Sequence, residues 1–226
     1  MKKAIAIELP LFPLGTVLFP GMVLPLHIFE QRYRNLVGKR LNEDPMFGVV
    51  LTRLGREVGD EPEIHTVGTA ASLIDVARYS DGRYDLAIRG GRRFKVMSGH
   101  WDYGFMTGTI EWIAANGVIG DERNDLDSLH AQVSRAFTSY LEVLQRIADV
   151  RAEQVDLPDD AVAAAYIICA IMPFDSIQRQ RLLEIESPTD LLQRLLEVLR
   201  RERRLLEVTG IGGAASPHMG SPFSTN

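Results

Sequence analysis

The sequence predicts an α+β protein, a small and strongly bent β-barrel followed by a C-terminal α-helical bundle. Three observations carry this expectation. The first half of the chain holds short runs rich in β-branched and aromatic residues, separated by turn signals. Near Asn116-Gly117 the period-two alternation gives way to helical spacing. With 226 residues, 46% of them hydrophobic, there is apolar material for one large domain or two small ones. The division reads as 1–116 for the barrel with one helix, 117–208 for the bundle, and 209–226 for a small, polar tail expected to be flexible.

The first element is the least obvious. LPLFPLGTVLFPGMVLPLHIF (9–29) has no ionisable side chain except His27, and its hydropathy suggests a membrane span. About a dozen Leu, Ile, Val, Phe and Met side chains at ~0.3–0.6 kcal/mol each favour insertion by roughly 4–7 kcal/mol. Each interior proline costs a helix ~3 kcal/mol, and Pro10, Pro13, Pro20 and Pro25 all fall inside. A signal peptide fits no better, because Glu8 and Pro10 cut the apolar run that follows Lys2-Lys3. The stretch therefore reads as short buried strands joined by turns. Phe19-Pro20-Gly21-Met22 has the residues of a type II turn, proline presetting φ and glycine supplying the positive φ after it.

The remaining elements follow in order. Glu30–Leu41 is an amphipathic helix with Tyr33, Leu36, Val37 and Leu41 on one face. MFGVVLT (46–52) is a buried strand, and Ile64–Ala77 a long or bent one. Ser80-Asp81-Gly82 signals a hairpin into the alternating run Tyr84–Arg89. Gly90-Gly91 permits a sharp bend before Phe94 and Val96, and 105–113 closes a set of about six strands. In the second half, Leu126, Leu129, Val133, Phe137, Tyr140, Leu144 and Ile147 keep steps of three and four. A second, alanine-rich helix has Pro158 in its first turn and ends at Pro173; it is apolar nearly all round and belongs inside the bundle. Asp175 with Gln178, and Ser187 with Asp190 behind Pro188, form capping boxes for the third and fourth helices, and Gly210 ends the fourth.

Familiar catalytic patterns do not occur. The five histidines show no metal-ligand spacing, and neither HExxH nor GxSxG is present. Gly210–Ala215 matches GxGxxA only formally, since it follows a helix and not a strand. Cys169, the one cysteine, lies in an apolar run and reads as an inert buried thiol. No cofactor, metal or catalytic residue is expected. A net charge of −5 argues against a general nucleic-acid or anionic-membrane binder. The run RRERR (200–204) reads as a solvated helix face. Arg89, Arg92 and Arg93, beside the Gly-Gly bend, read as pairing with acids of the barrel. Asp159-Asp160 favours a helix N-terminus.

The opening stretch, extended to LPLFPLGTVLFPGMVLPLHIFEQRYRNLV, closely resembles the start of the Lon protease amino-terminal domain in its stand-alone form. The resemblance continues through FGVVLTRLGREVG (47–59), VGTAASLIDVARYSDGRYDLAIRGGRRFKV (67–96) and AIMPFDSIQRQRLLEIESPTDLLQRLLEVL (170–199), covering roughly residues 5–208 in order. It implies a PUA-like pseudo-barrel followed by a helical bundle, and a role in substrate recognition; the composition, with its single cysteine, reads most simply as that of a cytoplasmic protein. The chain ends before the ATPase or Ser-Lys protease module of a full Lon protease could begin, so the expectation is recognition without hydrolysis. The implied partner is unfolded or partly folded polypeptide, with the chain acting alone or as an adaptor to a separate protease. Candidate binding residues are Phe19, Met22, Phe29 and Tyr33 in the early loops and helix, and Trp101 and Tyr103 before the last strand. The alternative is an RNA-binding PUA-like module, for which Arg92 and Arg93 would be the first contacts.

Overall fold

The computed structural model describes residues 7–40, 46–53, 62–102, 105–114, 121–148 and 155–210. Leu41, Tyr103, the Asn116-Gly117 boundary and the tail from 211 onward lie outside these residues. Six strands, β1 (Ile7–Leu14), β2 (Val23–Ile28), β3 (Met46–Thr52), β4 (Ile64–Arg78), β5 (Tyr84–Asp102) and β6 (Phe105–Trp112), precede most of the helical chain. The helices are α1 (Gln31–Arg40), α2 (Asp121–Ala148), α3 (Ala161–Ile171), α4 (Ser176–Glu184) and α5 (Pro188–Thr209). The chain divides into two compact units, Met1–Gly117 with Ser176–Glu186, and Val118–Asp175 with Ser187–Asn226.

In the first unit, β5, β4, β3, β1 and β6 form a closed ring, because β5 pairs with β4 along its first half and with β6 along its second. The β1–β3 pair is parallel and the other pairs are antiparallel. The prolines of β1 fit this ladder for a specific reason. Among the described residues, Pro10 pairs with β6 alone and Pro13 with β3 alone, and only Leu11 is flanked on both sides. Each proline thus sits where one edge of the strand has no described partner, the kind of position in a sheet at which proline is tolerated. Pro25 lies on β2, whose only partner among the described residues is β5.

The ring is filled by side chains, chiefly Leu9, Leu11, Val50, Phe94, Val96 and Ile110. Gly48, Gly68 and Gly108 make room for them: a Cβ on Gly48 would lie 2.5 Å from Phe94 Cζ, and one on Gly108 2.7 Å from Leu11 Cδ1. The β5 bend is built the same way. Phe19–Met22 is a type II turn, with Gly21 at φ 80° and Met22 N–H donating to Phe19 O at 3.1 Å. Gly21 N–H reaches Gly90 O (2.8 Å), and Gly90 N–H reaches Met22 O (2.9 Å). A side chain at position 90 would collide with Phe19 O. Where β2, β5 and β4 run together, the register puts Leu24, Ile88 and Leu73 on one face and Val23, Arg89 and Ser72 on the other. The first face is the one packed on Tyr33, Leu36 and Val37 of α1.

The third of the four helical segments differs from expectation. α4 packs on the barrel and not within the bundle: Gln180 Nε2 donates to Val67 O (3.0 Å), and Ser176 Oγ to Gly15 O (2.9 Å). Arg93 donates to Leu183 O (2.7 Å) and Ile185 O (2.5 Å) at the end of α4, so its partners include carbonyl oxygens, which the sequence did not suggest. In the second unit α2, α3 and α5 pack together. The α2 stripe holds through Leu126, Val133, Phe137 and Tyr140, then passes to Val143, leaving Ile147 38% exposed. Ala164 and Ala165 of α3 are fully buried, as is Cys169. That helix starts three residues after Pro158, at Ala161, because Asp160 is its N-cap and accepts from Ala163 N–H at 2.7 Å. Replacing Asp160 by alanine is expected to cost about 1 kcal/mol, measurable by urea unfolding. α5 starts and stops as expected, with Ser187 as N-cap, Pro188 in its first turn and Gly210 at φ 62°.

Candidate functional site

A groove of about 370 Å³ lies in the first unit between the end of β1 and the β2–α1 connection. Its apolar wall is Phe12, Leu26, Ile28 and Tyr33, with Phe29 at the rim and His27, Glu30 and Arg32 beside it. The elements explain the placement. Alternation along β2 turns Leu24, Leu26 and Ile28 toward the core, so the same alternation turns His27 out and carries Phe29 into solvent. Phe29 is 63% exposed, the most exposed aromatic side chain among the described residues. Tyr33 comes from the first turns of α1 and packs edge-on against Phe12, with centroids 4.1 Å apart. Burial pushes the Tyr33 phenol pKa up, against the pull of Arg32.

The exposed ring is held by a polar cluster. His27 stacks on Phe29 at 6.2 Å with an interplanar angle of 26°. Its Nδ1 lies 2.6 Å from Asp85 Oδ1, and Arg83 approaches Nε2 at 3.3 Å. Because a guanidinium can only donate, Nε2 is the acceptor and Nδ1 carries the proton given to Asp85. The Tyr79 hydroxyl donates to the other Asp85 oxygen. These bonds, Tyr79's first, hold the Asp85 carboxyl below the usual carboxylate range. Among the described residues, β1 beyond Leu11 pairs only with β3, and β2 only with β5, so each strand bordering the groove has an edge that no described strand covers.

Of the residues singled out from sequence, the groove brings together Phe29 and Tyr33. Phe19 is fully buried, and Met22 is half-buried against the α1-side core. Trp101 is half-buried on β5, opposite Met106 of β6, and Tyr103 lies outside the described residues. Sequence reasoning passed over His27, Leu26 and Phe12. The β2 alternation, continued two residues further, would have marked His27 and Phe29 as outward-facing. Arg92 stacks over Trp112 at 4.8 Å, and Arg93 is committed to α4, so neither is an open phosphate clamp. Among the described residues no group of His, Cys, Asp and Glu could hold a metal ion, and no helix is long and apolar enough to cross a membrane.

Comparison with known proteins gives a consistent result. Residues 8–201 match the family described as the ATP-dependent protease La (LON) substrate-binding domain. Lon protease of Anaeromyxobacter dehalogenans is 26% identical over 212 residues, 92% of this chain and 25% of that protein. Lon protease 1 of Syntrophobacter fumaroxidans is 29% identical over 203 residues, 88% of this chain and 24% of that protein. The chain thus spans about a quarter of the length of these relatives. A crystal structure of a Lon N-terminal domain protein from Xanthomonas campestris superposes with a TM-score of 0.60 at 28% identity, covering 84% of this chain and 98% of that one. The N-terminal domain of a Mycobacterium avium complex Lon protease, 17% identical, shares the fold at the same TM-score, covering 86% and 98%.

Proposed function

The chain belongs to the Lon substrate-binding domain family, and from that premise we propose that it binds unfolded or exposed apolar segments of other proteins. The reading is of a non-catalytic recognition module that delivers such segments to a separate protease. The observation that carries it is Phe29, an aromatic ring left in solvent at the rim of an apolar groove and oriented by the His27 stack. An oriented ring gives up little freedom on binding, so more of its burial is realised as affinity. The edges of β1 and β2 that no described strand pairs add main-chain donors and acceptors, which an extended segment can meet whatever its side chains. Together these features favour unfolded chains over any one folded partner.

The test is a titration of a labelled, permanently unfolded polypeptide at low and high salt. Binding through the groove should change little with salt, because apolar burial is not screened. Phe29→Ala is expected to weaken it by about 1–2 kcal/mol, roughly five- to thirtyfold. Unchanged affinity in that variant removes the groove from consideration. Binding of RNA alone, abolished by salt, would favour the RNA-binding alternative.

A further inference from the structure

We propose that the helical unit carries a second binding site, a groove between α2 and α5 that takes an acidic segment of polypeptide. The groove has a volume of about 470 Å³ and is lined by Gln132, Arg135, Ala136 and Ser139 of α2 and by Leu196, Leu199, Arg200 and Arg203 of α5. On each helix these positions follow the spacing i, i+3, i+4, i+7, which places them on one face over about two turns, roughly 10 Å. Leu196 and Leu199 are buried beneath, so the accessible groups are the three guanidiniums with the Gln132 amide and the Ser139 hydroxyl.

Among the described residues, no acidic side chain lines the groove. Arg203 donates to Ser139 Oγ at 3.1 Å and has only a long ion pair with Glu207, at 3.8 Å. Among the described residues, Arg135 and Arg200 make no ion pair or hydrogen bond. Three cations set around one depression repel one another, and a ligand carrying two or three carboxylates removes that cost. Guanidinium groups suit the task, since each can meet a carboxylate with two parallel N–H donors.

Charge also decides between an acidic peptide and a nucleic acid. The second unit holds fifteen Asp and Glu against nine Lys and Arg, so its field repels a long polyanion. The same two helices expose Glu142, Glu197 and Glu207 along their length. A phosphate backbone needs a basic track that continues past the groove. A short acidic segment needs only the groove itself.

Fluorescence anisotropy on the full chain tests this, with a labelled ten-residue peptide of alternating Glu and Ala, its Gln counterpart and a single-stranded RNA oligomer as probes. The Glu peptide should bind, the Gln peptide should not, and binding should weaken as salt rises. Arg135→Glu with Arg200→Glu should weaken it at least tenfold, whereas Arg201→Glu, exposed and outside the groove, should leave it within twofold. If the double reversal fails to fold by circular dichroism, Arg135→Gln with Arg200→Gln makes the same comparison at lower strain. Phe29→Ala should not affect the Glu peptide, which separates this site from the barrel groove. Absence of Glu-peptide binding, equal binding to the double variant, or tighter binding of the RNA overturns the proposal.

Discussion

Truncating Phe94 to alanine is expected to destabilise the barrel unit by about 3–5 kcal/mol. The ring is fully buried at the centre of a closed hydrogen-bonded ring of strands. Such a ring cannot shrink around a void without breaking ladder bonds, so a cavity would persist and the cost should lie toward the upper end. The glycines tell the same story from the other side. A Cβ at Gly68 would stand 2.8 Å from Phe94 Cζ and collide with Val49 O, which is main chain and cannot turn away. Gly68→Ala should therefore also destabilise, by overpacking. Trp112, edge-on to Phe94 with centroids 6.4 Å apart, supplies a fluorescent reporter for urea unfolding. A loss below about 1 kcal/mol for Phe94→Ala would mean that the ring interior is not packed in this way.

What could be read in advance depended on how local its physics is. The turn at Phe19–Met22, the Ser187 and Gly210 caps and the Tyr33, Leu36 and Val37 part of the α1 face are each decided within a few residues, and each is found where its residues place it. Chemistry decided over long separations left little trace. α4 has a capping signal and reads correctly as a helix, yet its attachment depends on Arg93, ninety positions away, meeting backbone carbonyls. Every residue offers a carbonyl, so no residue type announces that partner. The binding candidates show a related ambiguity. Phe19, Phe29 and Tyr33 are all large aromatics near the same turns, but one is core, one is rim and one is wall. Residue type cannot separate these roles, and strand alternation separates only Phe29.

Arg93→Met is expected to cost about 2–3 kcal/mol, in the range for hydrogen bonds to a charged group, and to loosen α4 from the barrel. The last carbonyls of a helix have no intrahelical donors and gather the negative end of its dipole. Arg93 Nη1 supplies both a positive charge and hydrogen bonds to Leu183 O and Ile185 O at the close of α4. Methionine keeps much of the apolar length but leaves those oxygens half-buried and unpaired. The contacts of α4 with the barrel that do not involve Arg93 include the Gln180 bond to Val67 O, the Ser176 bond to Gly15 O, the approach of His65 Nδ1 to Glu184 at 3.5 Å, and the burial of Leu182 and Leu183. Hydrogen exchange resolves the consequence element by element. Amides of α4 should exchange faster in Arg93→Met while those of α2 and α5 keep their protection, because the latter helices belong to the other unit. Arg93→Lys should restore part of the protection, since an ammonium carries the charge and can reach at least one carbonyl. If α4 exchanges at the same rate in all three proteins, the guanidinium does not hold it, and the apolar contacts suffice.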